Sequence, residues 1–191
     1  NDLTRSCRCA EQALATSGPR AADRRLTIEA AAAGVHLYRA TLTGTQDGAP
    51  ETARLLLDRL DPRRGPRSDS ELALRSHLAH LLGVWDVHAL ELDEAQELLS
   101  EVVGLGSRLG DRALVLRSQA QLARVDVNAG HLTRALDLAR TVLEAPAGTT
   151  VPQAGMVAEI ATAEVLLLRG HPLEALPHLT AAQRLAPPED K

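Results

Sequence analysis

Residues 128–139 read NAGHLTRALDLA and residues 168–179 read LRGHPLEALPHL. Aligned, Gly130 falls on Gly170, His131 on His171, Ala135 on Ala175 and Leu136 on Leu176, so a turn and the start of an apolar run recur after 40 residues. The alanine five residues beyond the glycine marks the unit best. Gly48 and Ala53 in GAPETARLLLDRL keep that spacing, and Ala95 in LELDEAQELLSEV fits it with Leu90 where the glycine would stand. Ala13 in CRCAEQALA extends the series to markers at 13, 53, 95, 135 and 175, with intervals of 40, 42, 40 and 40. A near-constant period of this length signals a repeat architecture built from one supersecondary unit.

Composition narrows what the unit is made of. The chain has 191 residues, 45% hydrophobic and 24% charged, enough to bury a sizeable core as one domain. Aromatics make up 1%, with Tyr38 and Trp85 alone and no Phe. Leu, Ala and Val must fill the core, and that choice suits closely packed helices better than sheets. A formal net charge of −4 argues against a general nucleic-acid surface, which needs a basic stripe. The one basic run, DPRRGPR with Arg63, Arg64 and Arg67, is broken by proline and glycine and reads as a solvated connector. Cys7 and Cys9, two apart on a helix, point to nearly opposite sides, which disfavours both a disulfide and a zinc pair. A reducing cytoplasm is the expected compartment. No apolar stretch reaches transmembrane length and no signal peptide precedes the first helix, so no membrane partner is expected.

Between the breakers the periodicity is helical. Leu3, Cys7, Ala10 and Leu14 make one apolar stripe, and Ala53, Leu56, Leu57 and Leu60 make another. Helices are predicted at about 3–16, 22–44, 50–61, 69–87, 89–109, 112–129, 132–145, 152–169 and 172–186. Pro50, Pro152 and Pro172 sit in first helical turns, Asp111 follows Gly110 as an N-cap, and Ser68 with Glu71 has the spacing of a capping box. Pro177 falls inside the last helix and is expected to kink it.

A longer helix ending near glycine, followed by a shorter one bearing the marker alanine, makes a helical hairpin. The segment AEVLLLRGHPLEALPHLTAAQRLAP, residues 163–187, resembles a tetratricopeptide repeat: Ala163 is the small residue of helix A, Gly170 makes the turn, Ala175 and Ala182 lie on helix B, and Pro187 closes the unit. The resemblance implies an all-α fold, a right-handed α-solenoid of antiparallel hairpins with about nine helices. It would form one domain over 1–191, with an orphan B helix at 1–17 and hairpins at 21–61, 69–110, 111–147 and 151–187. The period near 40 exceeds the usual 34. Such longer arrays are similar to those in large bacterial regulators that join an ATPase to helical repeats and often a helix-turn-helix domain, and equally to the helical repeats attached to caspase-like proteases or to small DNA-binding domains. The unpaired first helix leads to the expectation that the stretch belongs to a longer chain.

No phosphate loop, GxSxG elbow, HExxH or post-strand GxGxxG occurs, so no catalytic role and no cofactor are expected. GLGSRLG at 104–110 reads as a frayed or kinked helix end, and Glu91, Asp93, Glu94, Glu97 and Glu101 read as a solvated helix face. His77, His80 and His88 fall on one side of a helix. The spacing of His77 and His80 could chelate a metal, but no third ligand completes the set, so no metal site is expected. His131 and His171, beside turn glycines, are expected to reach back to helix-end carbonyls.

In the tetratricopeptide arrangement the A helices line a concave groove. That frame puts Val35, Tyr38, Arg39 and Leu42 in the groove from the first A helix, and His77, His80, Val84 and His88 from the second. The third contributes Arg117, Gln121, Arg124 and Asn128, and the fourth Val157, Ile160 and Glu164. Tyr38 with the arginine row would cradle a peptide with an acidic end, unless the arginines simply pair with nearby acids. The reading is a non-catalytic scaffold module of a cytoplasmic regulatory protein that binds a protein, a peptide or neighbouring domains of its own chain, and no nucleic acid. The alternative is a small-molecule or metal-sensing domain of a transcriptional regulator.

Overall fold

The computed structural model describes residues 22–45, 47–65, 67–146 and 151–186, with side chains from residue 25 onward. The helix expected at 3–16, with Cys7, Cys9 and Ala13, lies outside the described residues, as does Pro187. The described residues form eight α-helices and no strand: α1 (Ala22–Thr43), α2 (Ala49–Arg59), α3 (Asp69–Ala89), α4 (Leu92–Leu109), α5 (Arg112–Asn128), α6 (Leu132–Leu143), α7 (Pro152–Leu168) and α8 (Pro172–Leu185). A 3-10 turn at Pro62–Arg64 links α2 to α3. The eight helices coincide with the second to ninth expected helices to within a few residues at each end. Consecutive helices pack in pairs, α1, α3, α5 and α7 pack in series, and α2, α4 and α6 each also rest on the helix that follows.

The turn within each hairpin explains the glycine marker. At the end of α5 the Gly130 N–H donates to the Val127 carbonyl and the His131 N–H to the Asp126 carbonyl, and the same pair of bonds closes α7 at Gly170 and His171. This closure needs a left-handed residue, and Gly130 and Gly170 have φ of 79° and 80°. In the hairpin where leucine replaces glycine the geometry is kept: Leu90 has φ 63° and is the only described non-glycine residue with positive φ. Five residues on, Ala53, Ala95, Ala135 and Ala175 are all buried, at 0%, 0%, 1% and 0% exposed. A methyl there lets neighbouring helices approach closely. Both sequence-level cap signals also form: the Asp111 carboxylate accepts from the Leu114 N–H at 2.9 Å, and Ser68 and Glu71 make a reciprocal capping box.

Several expectations are corrected. GLGSRLG is neither frayed nor a break, because α4 runs through it to Leu109, and Gly106 is buried where a Cβ would meet Val115 at 2.9 Å. Its glycine is there for close contact with α5. Glu101 is not part of the solvated acidic face; it takes both Nε and Nη2 of the buried Arg75, whose Nη1 donates to the Leu57 carbonyl, so one guanidinium ties α2, α3 and α4. The His131 and His171 rings turn to carboxylates, Asp126 at 3.5 Å and Glu174 at 2.9 Å, while their backbone N–H groups reach the helix-end carbonyls. Pro177 lies inside α8, where the sequence placed it.

Two buried aspartates, 40 residues apart like the markers, add cross-links. Asp86 accepts from Arg54 of α2 at 2.7 Å, and Asp126 accepts from Arg134 Nε at 2.6 Å while the same guanidinium reaches Gln96 of α4 at 2.7 Å. Each thus binds one B helix to the A helix beside it. Burial, opposed by Arg54 and helped by Glu94 and Glu91, pushes Asp86 up to about 6.

Candidate binding groove

The helix α3 is a ridge with a different surface on each side. Towards α1 it presents Leu74, His77, Leu78 and Leu81, which with Ala30, Ala31, Gly34, Val35 and Tyr38 enclose an apolar groove of ≈ 410 Å³. Gly34 lets the two helices come close, since a Cβ there would sit 3.2 Å from Leu81 Cδ1. Tyr38 is 41% exposed and forms part of the groove wall. Towards α5, His80 Nδ1 meets the buried Ser118 hydroxyl at 2.9 Å.

Arg117, Gln121 and Arg124 follow Ser118 at helical spacing and share one face of α5. Arg117 and Arg124 are half-buried, and neither makes an ion pair or hydrogen bond among the described residues; the Nε atom of each is buried without a partner. Gln121 lies between them, 7% exposed, with its Oε1 buried and unpartnered. Six other arginines, Arg39, Arg54, Arg59, Arg64, Arg75 and Arg134, each face a carboxylate, and those without one, Arg108, Arg112, Arg169 and Arg184, are exposed to water, unlike Arg117 and Arg124. The alternative in which Arg117 and Arg124 pair with acids is not realised. Burial first, then Arg117 and His77, pushes the His80 ring down to about 3, and burial with Arg124 lowers His88. Both rings are therefore neutral at neutral pH, and the two guanidinium groups set the charge of the seam.

The remaining candidate residues are dispersed. Arg39 lies off the groove: it pairs with Asp47 and lines a separate cleft of ≈ 740 Å³ between α1 and α2, because one residue past Tyr38 is a 100° rotation on the helix. Asn128 is exposed at the end of α5, Val157 is buried, and Glu164 is half-buried on α7. His77 and His80 bond to different partners, the latter to Ser118. The His77 ring bonds to the Ala73 carbonyl, and no cluster of three or more metal-ligating side chains occurs among the described residues. No described helix is long and apolar enough to cross a membrane. Sequence reasoning missed Ser118, Leu74, Leu81 and Gly34 as groove residues. The small-residue run AAAAG at 30–34 was the available sign, since such a run lets one helix approach another.

No protein-family model, curated protein or solved structure matches the chain.

Proposed function

We propose that the chain is a non-catalytic recognition module, a right-handed α-solenoid resembling tetratricopeptide arrays, that binds a protein or peptide through the surface formed by α1, α3 and α5. The observation that carries the reading is the pair of half-buried, unpartnered arginines, Arg117 and Arg124, with the buried and unpartnered Oε1 of Gln121 between them. Polar groups withdrawn from water and left without partners cost stability, so a fold that keeps three in a row has a use for them. Arginine suits an anionic partner group because its planar fork grips a carboxylate with two bonds. A place in a cytoplasmic regulatory protein, beside other domains of the same chain, belongs to the same proposal and rests on the resemblance alone. The second reading, a small-molecule sensor, draws on the ≈ 740 Å³ cleft between α1 and α2.

The test is charge reversal. Arg117→Glu with Arg124→Glu should abolish capture of a bound partner while circular dichroism still reports a helical, cooperatively melting chain. Arg63→Glu with Arg64→Glu, in the connector where both arginines already face aspartates, should leave capture intact. Loss with the connector variant but not the groove variant removes the assignment.

A further inference from the structure

The apolar groove on one flank of α3 and the unpaired cations on the other have separate chemistries, and nothing in the fold requires them to be neighbours. His80 contacts Ser118 across the α3/α5 seam, while Leu81, the next residue, lines the groove towards α1. The two surfaces thus meet at one level of the array, separated only by the width of α3. Helices in contact lie about 8–10 Å apart, so the distance from the middle of the α1/α3 groove to the arginine face of α5 is roughly 10–15 Å. An extended chain rises about 3.3 Å per residue and covers that distance in three to four residues. Along α5, Arg117 and Arg124 stand seven residues, or about 10 Å, apart.

Resting on the peptide-binding reading above, we infer that the partner is an extended peptide crossing α3, with one large apolar side chain against Tyr38 and Leu81 and an acidic side chain three to four residues away on Arg117 or Arg124. Charge complementarity chooses the acidic end. The groove's apolar lining, with Tyr38 as a half-exposed aromatic wall, chooses the other. Between the two anchors the backbone passes over α3, where it needs no particular side chains. Both anchors must be present together, because neither a shallow apolar groove nor two partly solvated arginines would hold a short peptide alone.

The probe is a set of fluorescein-labelled synthetic peptides read by fluorescence polarisation against the purified chain. The parent is Gly-Leu-Gly-Ser-Gly-Asp-Gly. One control replaces Asp with Asn, another replaces Leu with Ser, and a third puts Leu and Asp next to each other. The expected result is tightest binding by the parent and at least a tenfold loss for every control. Tyr38→Ala should weaken the parent without changing its residual dependence on Asp, and Arg117→Gln with Arg124→Gln should remove that dependence. If acidic peptides bind equally with or without leucine, the arginine reading stands and the two-anchor inference falls. If no peptide binds at millimolar concentration, or binding ignores the arginine variants, both fall. If octanoate competes with the parent peptide at equal molar concentration, the occupant is a small amphiphile, and the peptide is overturned.

Discussion

Gly83 and Gly104 both sit inside helices, where glycine costs about 1 kcal/mol relative to alanine, yet their surroundings differ. A Cβ at Gly83 would lie 2.8 Å from Cγ of Leu99, which is fully buried and has no room to move, whereas a Cβ at Gly104 would meet nothing. Gly83→Ala is therefore expected to lower stability by about 1–2 kcal/mol, overpacking outweighing the gain in helix propensity. Gly104→Ala should raise it by about 0.5–1 kcal/mol. Urea unfolding with unchanged m-values checks both, and a stabilised Gly83→Ala would show that α3 and α4 are not in the close contact described. The difference between these glycines was not legible in the sequence, where each is one small residue in an apolar run. The turn glycines were legible, because their spacing to the marker alanine repeats. Leu90 shows which of the two signals is stronger: the hairpin forms in the same register without the glycine.

Within one element, α3, two groups titrate in opposite senses. His80 has a folded value of about 3 against an ordinary 6.5, so below pH 6.5 the unfolded chain binds more protons and stability falls with acid. Asp86 has a folded value of about 6 against an ordinary 3.8, so between these pH values the folded chain binds more protons and stability rises with acid. From pH 6 down to about 4 the two offset each other. The lowered carboxylates Glu29, Asp61 and Glu71 lose stability only near and below their ordinary range, which leaves pH 6.5 to 5 to the pair and to His88, whose lowered value acts in the same sense as that of His80. Over that interval the melting temperature of Asp86→Asn should fall more steeply with acid than that of the parent, and that of His80→Gln less steeply. Parallel curves would show that neither group is held as described. The histidine face was legible from the spacing along α3. Its division between two surfaces was not, because residues three and four apart share a broad face, and only the neighbouring helices decide where it splits. Arg39 failed for the related reason that a single helical step carried it round to α2.

At the scale of the molecule, periodicity showed the helical class and the helix boundaries, since the apolar stripes and caps are local. Partnerships across helices, such as Arg54 with Asp86 or Arg75 with Glu101, were hidden because each is one of many equally good charge pairings along the chain. The order of helix contacts has a kinetic corollary. Among the described helices every substantial contact joins a helix to the next or the next but one, so none of these waits on the closure of a long loop. Low contact order of this kind favours fast folding and lets units open one at a time. Among the described helices, α8 makes its substantial contacts with α7 and leaves Leu173, Leu176 and Leu179 at 80%, 56% and 41% exposed, whereas α5 touches α3, α4, α6 and α7. Amide hydrogen exchange should therefore run fastest in α8 and slowest in α5, with protection graded along the array. Equal protection in both helices would mean that the chain opens only as a whole. If the gradient is found, a protease would cut first in α8, so the lifetime of the described array would be governed by its loosest helix and hardly at all by its core.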